Sequence, residues 1–228
     1  MTNANIETSK KVRVVQCWDD GVIDDIRLMD ILRKYGAKAS FNLNAGSHSA
    51  TRTSGWKYKD IKDVYKLSRR ELTGVYEGFP IANHSLTHPF LDRIPIADAV
   101  REIVEGRDAL EQLFGYEIKG FAYPFGTHNA DVRAAVRDAG HLYARTVEDV
   151  AVAFPPSDPM AFHPNCHFNH PDFFEIFERS QPSGVFYFWG HSYELITDED
   201  WDAFDAKIAR LKADPNVEWS NLPDLFVR

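Results

Sequence analysis

The chain has 228 residues and a formal net charge of −8, with 44% hydrophobic and 26% charged residues. These values are typical of one globular domain that is large enough to bury its own core. The negative charge and the lack of a basic run argue against nucleic acid as a partner. No stretch approaches the roughly 18 apolar residues of a membrane span, and the N-terminus MTNANIETSKK does not resemble a secretory signal. We therefore expect a cytoplasmic protein with neither nucleic acid nor a membrane as partner.

Strand and helix patterns alternate along the chain. The apolar, β-branched run at 12–18 predicts a buried strand, and apolar residues at helical spacing over 24–35 predict a helix that ends before Gly36. Further strands are predicted at 38–43, 75–83, 118–123, 141–147, 185–191 and 217–219. Further helices are predicted from Ser68 onward, over 95–114, over 129–139, and over 198–212 with Thr197 as its cap. This strand-then-helix order favours an α/β barrel of parallel strands.

Two segments lack such patterns. Residues 45–58 are rich in Ser, Thr and Gly and are expected to form a surface loop, while 148–172 contains five prolines and is expected to be irregular. The predicted helix 95–114 is expected to bury one apolar face, formed by Ile96, Val100, Ile103, Leu110 and Phe114. Cys17 and Cys166 have no CxxC partners, which argues against a thiolate zinc site and leaves a disulfide between them open.

Polar side chains stand where several predicted strands end. Asp19 and Asp20 follow the strand at 12–18, His84 follows the third strand, and His191 ends the apolar strand VFYFWGH. In α/β barrels the carboxyl ends of the strands form the face on which active sites are built. We therefore expect these side chains to converge.

His84 and His88 are four residues apart, a spacing that lets two imidazoles bind one metal ion from the same helical turn. Together with a carboxylate they would suit zinc or a similar ion. Each signal alone has a simpler interpretation: the pair Asp19-Asp20 could cap the helix that follows, and the two histidines could belong to an exposed loop. The combination of both signals after separate strands is more specific.

The motifs resemble those of a known family. W-D-D-G at 18–21 resembles the Thr/Ser-Phe-Asp-Asp-Gly motif of polysaccharide deacetylases, carbohydrate esterase family four, and H-S-L-T-H at 84–88 resembles their His-Ser/Thr-x-x-His motif. Y-P-F-G at 123–126 and G-H-S at 190–192 are looser counterparts of later motifs. The resemblance spans residue 12 to about residue 220. It implies a distorted (β/α) barrel with seven or eight mostly parallel strands.

The resemblance also implies roles for five residues. Asp20, His84 and His88 would hold one divalent metal ion, with zinc favoured and nickel, cobalt and iron as alternatives. Asp19 would be the general base and His191 the general acid. The chemistry is consistent with these roles, because a divalent ion polarises a carbonyl and acidifies water, and an unperturbed histidine titrates at about pH 6.5.

The expected oxyanion and substrate pocket consists of Tyr123, Phe125, Gly126, Arg145 and His167. The sequence around Tyr123 lacks the arginine that orients the base in many family members, and Arg145 is the candidate substitute, with a surface salt bridge as the alternative. H-P-N-C-H at 163–167 stands where the family has an acidic-plus-Trp motif. His163 or His167 could line the pocket or tune His191, although a loop histidine is the simpler interpretation of either one.

The favoured function is metal-dependent hydrolysis of an N- or O-linked acetyl group on a carbohydrate substrate. One alternative is a C–N hydrolase of cyclic amides or ureides on the same fold. The other is a metal-binding, carbohydrate-binding protein without catalysis, which the missing arginine supports and the retained Asp19 and His191 count against. We expect a flexible N-terminal segment at 1–11 and one polysaccharide deacetylase-like catalytic domain at 12–228, with the sugar and the oligomeric state left open.

Overall fold

The structure is a computed structural model that describes residues 11–151 and 154–227. The strands are β1 (Val12–Asp19), β2 (Ser40–Leu43), β3 (Thr53–Tyr58), β4 (Lys62–Lys66), β5 (Ile81–Asn83), β6 (Gly120–Ala122), β7 (Tyr143–Arg145), β8 (Cys166–His167), β9 (Val185–Gly190) and β10 (Val217–Trp219). The helices are α1 (Asp25–Tyr35), α2 (Leu72–Val75), α3 (Ile96–Phe114), α4 (Ala130–Asp138), α5 (Phe173–Ser180) and α6 (Asp198–Ala213). Apart from Lys11, the expected flexible segment 1–11 lies outside the described residues.

Eight strands form one parallel sheet in the order β7-β6-β5-β2-β1-β9-β8, with β10 also paired to β1. β1 is central: β9 lies along one edge, while β10 pairs with the first part of the other edge and β2 with the last part. The sheet curls back on itself, because Phe162, which precedes β8, forms a parallel bridge with Arg145 of β7. This architecture confirms the predicted distorted (β/α) barrel.

Buried apolar side chains fill two layers, one between the sheet and its helices and one inside the curl of the sheet. Successive side chains of a strand point to opposite faces. On β1, Val14 and Trp18 accordingly pack in the outer layer, while Val15 and Cys17 pack in the inner layer with Tyr187. Both faces of the central strand are therefore covered, as expected for a parallel sheet.

The segment 45–58 is not the surface loop that its composition suggests. It contributes β3, which pairs antiparallel with β4 to form a hairpin. The loop between the strands is Lys59-Asp60-Ile61, and its first two residues have positive φ angles (48° and 59°), as in the tight turns that suit the twist of a hairpin. The Ser, Thr and Gly content concealed the strand because one side of the hairpin faces solvent.

Three smaller expectations also need correction. The helix expected from Ser68 begins at Leu72, although Ser68 and Glu71 make the side-chain contact of a capping box. The strand expected at 75–83 is only Ile81–Asn83, because residue 75 still belongs to α2 and turns fill most of the stretch between them. On α3 the buried face includes Ile103 and Leu110, but Ile96 and Val100 are 48% and 40% exposed, so the N-terminal part of the apolar stripe is only partly covered.

Two further features bear on the chemistry. Cys17 and Cys166 are both buried, and both are free thiols. Among the described helices none combines the length and the apolar character that crossing a bilayer requires.

Candidate active site and metal centre

The inner face of the barrel brings side chains from five strand ends together. Asp19 follows Val15 and Cys17 on the inner face of β1, so the alternation of the strand directs its carboxylate into the barrel. The other side chains lie within 3.8 Å of that carboxylate. They are Asn42, His84, Arg145 and His191.

Asp20, His84 and His88 form a group whose potential ligand atoms all lie within 4.8 Å of one another. His84 uses Nδ1 to donate a hydrogen bond to the carbonyl of Ala122 at 2.8 Å, which leaves Nε2 directed into the site. Lys66 donates to the Asp20 carboxylate at Oδ1 over 3.2 Å, and the second oxygen remains to serve as a ligand. Backbone carbonyls and charged groups commonly orient metal ligands in this way.

The protonation states of this group suit a metal ion. Burial lowers the pKa of His84 to about 3 and also lowers the pKa of His88, so both imidazoles are neutral near pH 7. Burial alone would raise the pKa of Asp20, but Lys66 and the nearby histidines outweigh it and hold that pKa well below the usual range. Two neutral imidazoles and one carboxylate form a donor set that fits zinc and similar divalent ions.

The loop that carries the two histidines is not helical. Ser85 and His88 have φ angles of 64° and 68°, and the Ser85 hydroxyl accepts a hydrogen bond from the His88 N–H at 3.0 Å. Glu102 of α3 accepts from the N–H and the hydroxyl of Thr87, both at 2.7 Å. Gly106 permits this close packing, because a Cβ atom there would lie 2.9 Å from the loop backbone. The two histidines, four residues apart in the sequence, are therefore brought together by a fixed loop and not by a helical turn.

Asp19 is held as a charged carboxylate by two donors. Asn42 donates to Oδ1 at 2.6 Å, and Arg145 donates to Oδ2 at 2.8 Å. The side chains of Asp19 and Arg145 are only 2% and 1% exposed. Burial would raise the pKa of Asp19, but the Arg145 guanidinium, the two nearby histidines and the Asn42 amide outweigh it and lower that pKa. Arg145 thus occupies the position next to Asp19 that the sequence suggests for it.

His191 lies between this carboxylate and a second acid. Its Nε2 is 3.7 Å from Asp19 Oδ2, and its Nδ1 is 3.4 Å from Glu194 Oε1. Burial would lower the pKa of His191, but Glu194, Asp19 and Asp20 outweigh it and raise that pKa. The other oxygen of Glu194 is 2.8 Å from Nε2 of His167.

The Y-P-F-G segment forms a tight turn beside the group of Asp20, His84 and His88. The ring of Phe125 lies 4.5 Å from that of His88, and Phe125 has a φ angle of 57°. Gly126 has a φ angle of 72°, and its N–H donates to the carbonyl of Tyr123 at 2.9 Å. Tyr123 itself is buried, and its hydroxyl donates to the carbonyl of Met160 at 2.8 Å. Tyr123 therefore packs under the turn, in the core, and does not line the cavity.

Left-handed backbone conformations concentrate at this site. Six non-glycine residues in the described part of the chain have positive φ angles, and four of these belong to the site. The four are Asp20, Ser85, His88 and Phe125. Such conformations cost free energy and cluster where a function requires a particular side-chain direction.

The site residues expected from the sequence, except Tyr123 and His167, open onto a cavity of about 810 Å³. Of the expected pocket residues, Phe125, Gly126 and Arg145 line it, together with His191 and the metal group. The hairpin forms one wall, to which it contributes residues 53–56 and Lys66. A cavity of this size fits a small-molecule or saccharide ligand.

The sequence does not identify Asn42, Lys66 or Glu194 as site residues. Asn42 lies on β2 with its side chain on the inner face, next to Asp19. Its closeness to Asp19 can be inferred only when the register between β1 and β2 is known. Lys66 belongs to the hairpin that composition concealed. Glu194 stands three residues after His191, but an acid in a turn has no distinctive pattern. Trp189 of β9 also lines the cavity, with its ring 4.7 Å from the Arg145 guanidinium.

Comparison with known proteins places the chain in a family. The sequence model of the polysaccharide deacetylase family matches residues 6–144, more than half of the chain. A curated relative, the peptidoglycan-N-acetylmuramic acid deacetylase PdaC of Bacillus subtilis, is 31% identical over 61 residues. That match covers 27% of this chain and only 13% of the length of PdaC.

Solved structures with a similar fold include two bacterial deacetylases. The PdaC structure from Bacillus subtilis has a TM-score of 0.58 at 18% identity. The match covers 94% of this chain and 90% of the PdaC chain in that structure. The deacetylase PplD of Streptococcus pyogenes, solved in complex with acetate, has a TM-score of 0.53 at 20% identity. The match covers 64% of this chain and 61% of the PplD chain. At these identities the likeness supports the fold alone, whereas the family match covers the motifs at both Asp19 and His84. The chain belongs to the polysaccharide deacetylase family.

Proposed function

We propose that this chain is a metal-dependent hydrolase that removes an N- or O-linked acetyl group from a carbohydrate. The observation that carries the proposal is one cavity in which Asp19, kept ionised by Arg145, adjoins the group of Asp20, His84 and His88. A general base beside three metal-binding side chains is the arrangement that hydrolysis of a poor electrophile requires. Family membership supports the same reaction.

Asp20, His84 and His88 would hold one divalent ion, with zinc favoured and nickel, cobalt and iron as alternatives. When bound, such an ion polarises the acyl carbonyl and makes water more acidic. Asp19 would accept the proton of the attacking water as the new C–O bond forms. Its contact with Arg145 fixes the carboxylate in position and keeps it unprotonated before the attack.

Two further groups would act on the acyl centre. The Gly126 N–H donates to the carbonyl of Tyr123, so we assign oxyanion stabilisation to the N–H of Phe125, a residue that lines the cavity. His191 would give the proton on Nε2 to the leaving nitrogen or oxygen as its bond to the acyl carbon breaks. The raised pKa of His191 keeps it protonated closer to neutral pH, as this step requires.

The contact between Arg145 and Asp19 bears on the non-catalytic alternative. The main argument for a carbohydrate-binding protein without catalysis was the missing arginine near Tyr123. Arg145 supplies a guanidinium to Asp19 from the next strand, so that argument loses its support. The cyclic-amide alternative shares the same base and acid, and substrate assays distinguish it from deacetylation.

The first test combines metal content with product analysis. Protein supplied with zinc should bind about one equivalent and should release acetate from at least one substrate in a panel of N- and O-acetylated sugars. His84→Ala and His88→Ala should each lose the metal, whereas Asp19→Asn should keep it and lose turnover. His170→Ala, a histidine outside the group, should keep both.

Other results would change the proposal. Turnover of allantoin or a cyclic imide without acetate release from any sugar would favour the cyclic-amide alternative. Absence of metal uptake with zinc or cobalt, or full activity of Asp19→Asn, would refute the proposed mechanism.

A further inference from the structure

The turn after β9 places a carboxylate between two histidines. Glu194 Oε1 is 3.4 Å from Nδ1 of His191, and Oε2 is 2.8 Å from Nε2 of His167. The side chain of Glu194 is only 15% exposed, so its carboxylate is largely shielded from water beside the two rings. Nε2 of His191 faces Asp19 at 3.7 Å and Asp20 at 3.9 Å, so Nδ1 is the ring nitrogen that faces Glu194. Glu194 itself does not line the cavity.

The orientation of His167 follows from its backbone contact. The N–H of Asn169 donates to Nδ1 of His167 at 3.2 Å, so Nδ1 is an acceptor. A neutral His167 must then carry its proton on Nε2, the atom that faces Glu194. His167 therefore presents an N–H to Glu194, and the pKa of Glu194 is about 2, because these contacts with His167 and His191 outweigh the effect of burial.

The turn itself is anchored on the side away from the substrate cavity. The Ser192 hydroxyl donates to the buried carboxyl group of Asp25 at 2.5 Å, and the N–H of Glu194 donates to the carbonyl of His191 at 3.1 Å. These contacts hold the backbone of His191 and Glu194 in one arrangement. The position of the Glu194 carboxylate relative to the imidazole is thus set by the fold.

We propose that Glu194, braced by His167, is a positioning residue that keeps a proton on Nδ1 of His191. The proton exchanged with substrate is then always the one on Nε2, the atom directed toward Asp19 and the cavity. A carboxylate that accepts from one ring nitrogen fixes the tautomer and the ring direction of a histidine. This inference rests on the proposed role of His191 as general acid.

The arrangement has a selective consequence. A proton on the leaving group is essential when an amine departs but is unnecessary when p-nitrophenolate departs. Loss of Glu194 should therefore impair hydrolysis of an acetamido sugar much more than hydrolysis of p-nitrophenyl acetate. A residue that merely stabilised the fold would affect both substrates alike.

The kinetic test uses zinc-supplied protein with N-acetylglucosamine oligomers and p-nitrophenyl acetate. Glu194→Gln should lower kcat for the oligomers about 10- to 100-fold at a similar KM and change p-nitrophenyl acetate turnover by less than about threefold. Adding Glu194→Gln to His191→Ala should cause no further loss. The control is Glu148→Gln, because Glu148 faces His163 at 3.8 Å on the surface and is 64% exposed. Equal losses on both substrates, no loss, or a full additional loss in the double variant would overturn the inference.

A second measurement does not depend on turnover. Nitrogen-15 NMR of labelled histidines at ~pH 8 reports which ring nitrogen carries the proton. His191 should be protonated on Nδ1 in the wild type and should shift toward Nε2 in Glu194→Ala. A wild-type His191 protonated on Nε2 would overturn the inference. If the wild type releases no acetate, the proposed function fails, and the NMR result still decides whether Glu194 positions His191.

Discussion

Arg145 and Asp19 form an almost completely buried ion pair, and Arg145→Met tests how much it contributes. Methionine has a similar length and is apolar, so the variant removes the cation with little change in packing. Asp19 would keep the Asn42 amide at 2.6 Å but would lose the guanidinium at 2.8 Å. A carboxylate that is 2% exposed would then be buried without its main partner.

The expected cost follows from that burial. Removing one partner of a buried ion pair destabilises a protein by about 3–5 kcal/mol, mostly because the remaining charge is left unpaired. In a domain of this size 1 kcal/mol corresponds to about 2–4 °C in Tm, so Arg145→Met should lower Tm by about 6–20 °C. Deacetylase activity should fall as well, because the pKa of Asp19 rises when Arg145 is absent.

The cost should depend on pH in a defined direction. The pKa of Asp19 is lower in the folded protein than in the unfolded chain, where it is about 3.9. The stabilisation from the pair is therefore fully present above that unfolded pKa and is lost as the pH falls through the folded pKa. The difference in unfolding free energy between wild type and Arg145→Met should be largest near neutral pH and should shrink in acid.

Urea denaturation at several pH values measures this difference, and the chain offers a matched control. Arg52 and Glu71 are 2.7 Å apart, but their side chains are 48% and 27% exposed, so Arg52→Met should cost less than about 1 kcal/mol. Combining Arg145→Met with Asp19→Asn should recover much of the stability, because no unpaired charge remains. Equal costs for the two arginine variants, or no recovery in the double variant, would refute the reasoning.

Two further predictions concern groups next to the site. Burial raises the pKa of Asp25 to about 7, so the contribution of Asp25 to stability should fall as the pH rises from about 4 to about 7 and then level off. In urea titrations the unfolding free energy of the wild type relative to Asp25→Asn should fall over that range; a difference that does not change with pH would contradict the raised pKa. Gly126→Ala should lower Tm and activity, because a Cβ atom there would lie 2.2 Å from Val147 Cγ2 at a φ of 72°. Adding Val147→Ala should restore only the steric part of that loss, and complete recovery would contradict a contribution from backbone strain.

The sequence predicts the barrel well because its strands are buried on both faces. Runs such as 12–18 and 185–190 are mostly apolar, and the polar residues Asp19 and His191 follow them directly. In a parallel barrel all such ends meet at one face, so a one-dimensional pattern already indicates which side chains are neighbours. Arg145 also follows from this logic, since it ends the strand beside β6.

The rest of the site depends on information that the chain order does not contain. Glu194 contacts His167 across two strand ends, and nothing in the sequence of either segment points to the other. Lys66 is brought to Asp20 by a hairpin whose outer face is polar, so its alternation was weak. The exposed Ile96 shows the reverse limit: helical periodicity defines a face, but only tertiary packing decides how far along the helix that face is covered.

The position of β1 between distant strands affects how the protein is made. Arg13 pairs with Val185, and Val12 pairs with Val217, so most partners of the first strand belong to the last part of the chain. At about 5–20 residues per second, a ribosome needs roughly 10 s or more to synthesise the intervening chain. During that time the backbone N–H and C=O groups of the apolar strand β1 lack their partner strands, which makes the nascent chain prone to aggregation. The yield of soluble protein should therefore depend on how fast the second half of the chain is translated and on whether chaperones cover β1 meanwhile.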